Sequence, residues 1–151
     1  MHLLFFNLTN ARSLAPKIDS FVENFHERDT DLCVVTEMWL TEDAGLLADG
    51  SVDLRLRECI GALHCGRGGG RRGGGVGIFY RLARMSVVDI SPKDNPHEIA
   101  VALCSLRGTS RKIVCIGAYL TTALDEASAE IFLDYINDLT HPLFQLSLIH
   151  I

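Results

Sequence analysis

Apolar residues along this chain fall into short compact runs and longer helical stripes, and the points where they give way to polar residues set the expected elements. His2 to Leu8 is a compact apolar run ended by Thr9-Asn10 and predicts a short buried strand. An amphipathic helix should follow. Ser13 is placed to cap it, Pro16 suits its first turn, and Ile18, Phe21, Val22 and Phe25 recur at helical spacing. Asp31 to Thr36 predicts a second buried strand, with Glu37 just past its C-terminal end. Strand, helix, strand over so short a span is a βαβ-like unit, so the two strands should be near neighbours.

Beyond Leu40 the chain turns polar, with a weak strand or edge near Val52 to Leu56. Gly61 to Gly75 is rich in glycine and arginine and is expected to hold no regular structure. Val76 to Arg81 and Met85 to Ile90 predict two strands joined by a short turn, a candidate hairpin. Pro92 to Pro96 is a loop. Glu98 to Leu106 and Lys112 to Leu120 predict a second strand pair, and a last helix spans Leu124 to Leu139. Thr122 and Asp125 have capping-box spacing there, and Ile131, Leu133, Ile136 and Leu139 supply its apolar side. The alternation predicts one mixed α/β domain without repeats.

Composition narrows the class. The 151 residues are 48% apolar and 22% charged, as in ordinary globular proteins, and form a chain long enough to bury a core without staples. No run approaches the roughly 20 apolar residues of a membrane span, and the N-terminus lacks the flanks of a signal peptide. An intracellular protein, nuclear or cytoplasmic, is expected, with no membrane partner. A net charge of −5 excludes coating nucleic acid by bulk electrostatics, but leaves open an enzyme that gathers carboxylates around a metal. The five cysteines form no CxxC pair and fit a reducing compartment; Cys59, His64 and Cys65 lack the second ligand pair of a zinc finger.

Two short motifs sit where the first two strands stop. Asn10-Ala11-Arg12-Ser13-Leu14 reads alone as a turn and helix cap, and Thr36-Glu37-Met38-Trp39-Leu40 as a loop with a solvated acid. Together they mean more, because ligands of open α/β sheets gather at the carboxyl ends of adjacent strands. A carboxylate and an amide oxygen form a sparse ligand set suited to Mg²⁺, which keeps several waters and takes oxygen donors. Gly68-x-Gly70-x-x-Gly73 matches the dinucleotide pattern, but it opens a strand rather than a helix, so a nucleotide cofactor is rejected. Arg12, Arg67, Arg71 and Arg72 are candidate contacts to DNA phosphates. For the last three a solvated linker is the alternative, since no aromatics accompany them.

The run TNARSL, a following helix that contains Lys17-Ile18-Asp19, and TEMWL resemble the opening of the endonuclease/exonuclease/phosphatase superfamily, in its branch from LINE-type (non-LTR) retrotransposons. Gly73-Gly74-Gly75-Val76-Gly77-Ile78-Phe79-Tyr80, Val114-Cys115-Ile116-Gly117-Ala118-Tyr119 and Phe132-Leu133-Asp134-Tyr135-Ile136 are similar to later segments of that branch, in the same order from Leu3 to Leu139. The resemblance implies a two-sheet α/β sandwich of the deoxyribonuclease I-like type, incomplete at its C-terminal part. It implies a Mg²⁺-dependent endonuclease that nicks target DNA for retrotransposition, with a reverse transcriptase domain downstream. Glu37 would bind Mg²⁺, Asn10 would help hold it, and Tyr119 would hydrogen-bond the scissile phosphate. A lipid- or inositol-phosphate phosphodiesterase of the same superfamily, or a non-catalytic fragment, are the alternatives. The superfamily's later Asp-x-Asn and Asp-His pairs do not occur in this chain, and its histidines stand singly, so the chain is expected to be inactive as it stands. Residues 1–145 read as the N-terminal part of the domain. Leu146 to Ile151 back-translates to the mosaic end of a transposase-based sequencing library and is expected to be a non-native tail.

Overall fold

The computed structural model describes residues 4–39, 59–65, 74–93, 97–120 and 125–148. The chain divides into two compact units, Met1–Tyr119 and Leu120–Ile151. The described residues of the first form two sheets and a helix. The strand β1 (Phe6–Asn10) leads through a single 3₁₀ turn (Ala15–Lys17) into the helix α1 (Ile18–Glu27) and returns in β2 (Leu32–Thr36). After β2 come β3 (Ile60–Cys65), β4 (Val76–Arg81), β5 (Met85–Asp89), β6 (Glu98–Leu106) and β7 (Lys112–Tyr119). One sheet has the order β1-β2-β4-β3 and the other β5-β6-β7.

The expected βαβ unit is present: β1 and β2 are parallel and adjacent, with Phe6 opposite Leu32 and Asn10 opposite Thr36. Between them α1 buries Ile18 and Phe25, and with Phe21 and Val22 covers the outer face of the sheet against Cys33, Val35 and Phe79. The opposite faces of β2 and β4, carrying Leu32, Val76 and Ile78, meet Ala100, Ala102 and Cys104 of β6 between the sheets. Apolar side chains thus leave β2 and β4 on both faces, which is why these strands read as near-continuous apolar runs.

Several expectations need correction. The first strand is not buried. Phe6 is 58% and Leu8 73% exposed, because β1 is the edge strand of its sheet. Ser13 does not cap the helix; it lies at φ 81° and Lys17 occupies the cap position without a side-chain bond. Residues 61–65 are not irregular. They belong to β3, paired with β4 from Ile60↔Arg81 to Cys65↔Val76. Gly61 is required there, since a Cβ would lie 2.2 Å from the ring of Tyr80.

The candidate hairpin of β4 and β5 also does not form: the turn at 82–84 carries the chain from one sheet to the other. It is anchored by charge. Asp31 is fully buried and accepts from Arg84 Nη1 at 2.8 Å and from the Phe5 amide at 3.1 Å, with Arg81 Nε at 3.8 Å. Arg84 also holds both oxygens of Asp29, at 2.9 and 3.2 Å. By contrast β6 and β7 do form the expected antiparallel pair, from Glu98↔Tyr119 to Ser105↔Lys112. The region near Val52 to Leu56 lies outside the described residues.

The described residues of the second unit carry a helix, α2 (Glu126–Leu148), longer than the expected Leu124–Leu139. Asp125 begins it, its carboxylate accepting the Ser128 amide at 2.8 Å; Thr122 lies outside the described residues. Among the described residues, no helix is long and apolar enough to cross a membrane.

Candidate functional site

Parallel pairing places the C-terminal ends of β1 and β2 side by side, and the backbone keeps them together beyond the strands. The amides of Ala11, Ser13 and Leu14 donate to the carbonyls of Thr36, Glu37 and Met38 at 2.9, 2.9 and 2.8 Å. Ala11, Leu14 and Met38 are buried and anchor this double loop in the core under α1. Lys17 closes it from the helix side, its ammonium donating to the carbonyls of Ala11 and Arg12. Arg12, Ser13, Glu37 and Trp39 have φ of 43°, 81°, 53° and 51°, a conformation that is uncommon outside glycine. The only other described non-glycine residue of this kind is Asp29. Such conformations persist only where the surroundings impose them, and they cluster at functional sites.

The result is a group of polar side chains around Glu37. Its Oε1 accepts from Asn10 Nδ2 at 3.2 Å and from the Tyr119 hydroxyl at 2.8 Å. Asn10 Oδ1 in turn accepts the Arg12 amide at 3.2 Å, which fixes the orientation of its side chain. The hydroxyl of Tyr119, then the amide of Asn10, hold the Glu37 carboxyl below the ordinary glutamate range against desolvation, with a smaller contribution from the Arg12 guanidinium. Oε2 of Glu37 accepts no hydrogen bond from a described residue.

Tyr119 reaches Glu37 from the other sheet, and a glycine makes that possible. Gly117 lies two residues earlier on β7, and a Cβ there would sit 2.7 Å from Val76 Cγ1 and 3.0 Å from Val34 Cγ1. Without a side chain at 117, β7 packs close enough for the tyrosine to span the gap. An isolated glycine within an apolar strand run is the sequence sign of such close approach. Glu98 belongs to the site as well. It starts β6 opposite Tyr119, and its Oε2 accepts the Gly75 amide at 2.7 Å.

The structure therefore brings Asn10 and Tyr119 together on Glu37 and places Arg12, exposed, at the rim. Arg67, Arg71 and Arg72 lie outside the described residues. Among the described residues no group of three or more histidine, cysteine or acidic side chains is placed to hold a metal. The oxygen donors available are Oε2 of Glu37 and the remaining lone pair of Asn10 Oδ1. This set is too sparse to enclose an ion, but it fits a hard cation that keeps most of its waters.

No protein-family model and no curated protein matches the chain. Solved structures similar in fold include two from Neisseria. A 3′-5′ exonuclease, NExo, from Neisseria meningitidis shares 18% identity at a TM-score of 0.60, over 95% of this chain and 52% of that one. A 3′ phosphatase NExo from Neisseria, bound to product DNA hairpin, shares 19% identity at a TM-score of 0.52, over 78% of this chain and 41% of that one. The fold is thus a two-sheet α/β sandwich of the deoxyribonuclease I-like type, of which this chain spans about half the length found in those enzymes.

Proposed function

We propose that the chain is the N-terminal half of a Mg²⁺-dependent DNA phosphodiesterase, and that the whole enzyme nicks target DNA for a LINE-type retroelement. The observation that carries this reading is the convergence of Asn10 and Tyr119 on Glu37 at one end of a sandwich shared with DNA-processing enzymes. DNA is favoured over lipid or inositol phosphates because one structural neighbour holds a DNA hairpin product. The wording of the TNARSL and TEMWL segments supports the retroelement assignment and, with it, a downstream reverse transcriptase.

Each residue then has a task. Glu37 stays ionised under its two donors and would offer Oε2 to the cation, with Asn10 Oδ1 as a second oxygen donor. When bound, Mg²⁺ offsets the negative charge that develops on the phosphate oxygens. Tyr119 carries one hydroxyl proton, which it gives to Glu37 here and would turn to a phosphate oxygen in the complex. Arg12 offers the DNA backbone an exposed cation. The chain has no Asp-x-Asn or Asp-His pair to orient water or take its proton, and such acid–base help contributes about two to four orders of magnitude. The 151-residue chain alone is therefore expected not to cleave DNA. The test is a Mg²⁺ titration of this chain followed by NMR. Shifts should concentrate at the Glu37 and Asn10 side chains and vanish in Glu37→Gln; shifts elsewhere, or unchanged in the variant, refute the assignment.

A further inference from the structure

The amide of Gly75 is a buried donor just before β4, on a residue with no side chain of its own. A buried N–H without an acceptor is destabilising, and here the acceptor is neither a neighbouring strand nor a turn but the carboxylate of Glu98, from the opposite sheet. The fit is close. At Gly74 (φ 75°) a Cβ would lie 2.3 Å from Glu98 Oε2 and 2.5 Å from Oε1. The two glycines thus leave a space that the carboxylate fills.

What the glycines hold gives this contact its meaning. The carbonyl of Gly75 accepts the Met38 amide at 3.4 Å, and that of Gly74 accepts the Trp39 amide at 3.0 Å. These bonds extend the β2–β4 pairing past Thr36↔Val76 and pin the backbone on the C-terminal side of Glu37, where φ is 53° at Glu37 and 51° at Trp39. Glu98 is also the register partner of Tyr119, which donates to Glu37. One residue is thereby joined to both supports of Glu37: through its backbone to Tyr119, and through its side chain to the segment that holds residues 38–39.

We propose that Glu98 is a positioning residue, a latch between the two sheets that closes on Gly74-Gly75 and sets the backbone carrying Glu37. The latch is a geometric claim; its consequence for metal binding rests on the reading of Glu37 given above.

The experiment is amide hydrogen exchange, by NMR on the 151-residue chain, in wild type, Glu98→Gln and Glu98→Ala. Gln keeps an acceptor oxygen and Ala removes it. Glu98→Ala is expected to speed exchange at Gly75, Met38 and Trp39 by about tenfold or more, tenfold being the low end for losing a bond to a charged acceptor. Glu98→Gln should bring these amides back to within a few-fold of wild type. Amides in the middle of the β5–β6 pairing should not change in either variant, whereas a general loss of stability would move them too. Equal exchange at the three amides in Ala and wild type overturns the proposal, and so does a Gln variant that behaves like Ala. Should Glu98→Ala fail to fold, wild type decides: a scalar coupling across the hydrogen bond from Gly75 N to the Glu98 carboxyl carbon is expected, and its absence overturns the latch. A Mg²⁺ titration of the same samples separates the two readings. No binding in wild type, with the exchange pattern intact, removes the metal assignment and leaves the latch.

Discussion

Removing Arg84 should damage the fold more than removing the charge of Asp31, although the two side chains are partners in one contact. Asp31 has no exposed surface, while the Arg84 side chain is 36% exposed and keeps Asp29 as a second partner. In Arg84→Met the buried carboxylate is left with the Phe5 amide and with Arg81 at 3.8 Å. Breaking a buried pair in this way costs about 3–5 kcal/mol, most of it the penalty of a stranded charge. In Asp31→Asn no charge is stranded, because Arg84 still binds Asp29 and reaches water. One of the two donors then faces an amide NH₂, a loss of about 2 kcal/mol. The double variant should resemble Asp31→Asn and be more stable than Arg84→Met. Urea unfolding of the three variants and wild type, compared at a common slope, reads these differences as midpoints. An Arg84→Met variant as stable as Asp31→Asn would refute the reasoning, and would mean that Arg81 compensates the carboxylate by itself.

Three further outcomes follow from the site and the core. Gly117→Ala forces a methyl against Val76 and Val34, so stability should fall by about 1–3 kcal/mol in the same assay; an unchanged urea midpoint would contradict the close packing of β7. Glu37 titrates below the ordinary glutamate range, so the stability it contributes is complete above about pH 4.3 and is lost as pH falls through its lower folded value. Tyr119→Phe removes the larger cause and should raise the Glu37 carboxyl towards the ordinary range in an NMR titration; no rise would exclude the hydroxyl as the cause. Burial pushes the Cys33 and Cys115 thiols up to about 11, so at pH 8 roughly one in a thousand is thiolate and both should resist alkylation until the chain unfolds. Cys59 is exposed and should react in the native state, which mass spectrometry of the labelled chain would show.

The parts of this fold that are legible in sequence are those set by local pattern. The β1–α1–β2 unit shows in one helical stripe between two apolar runs, and the β6–β7 pair shows in two strands around a short turn. Asn10 and Glu37 stand at the ends of adjacent parallel strands, so topology brings them to one edge, and Tyr119 joins them from the other sheet through the close packing at Gly117. What local pattern does not carry is the choice of partner strand. The turn at 82–84 looks like a hairpin turn, but the chain changes sheets there because Arg84 is held by Asp29 and Asp31, some fifty residues earlier. Strand β3 is hidden for a related reason: Gly61 sits under Tyr80 and looks like a loop residue until its partner is known. Glu98 is likewise indistinct in sequence, since a lone acid before an apolar strand is common, and only the two glycines facing it reveal its acceptor role.

We propose that this chain supplies the metal-binding half of a DNA-nicking enzyme. The most direct measurement is nicking of supercoiled plasmid, with and without Mg²⁺, by the 151-residue chain and by a longer chain extended through its downstream reading frame. The longer chain should convert supercoiled to open-circular DNA only with Mg²⁺, and Glu37→Ala should abolish that conversion. The 151-residue chain should show none above background. Nicking by the longer chain that survives Glu37→Ala, or that needs no divalent ion, would contradict the claim. So would Glu37-dependent nicking by the 151-residue chain itself.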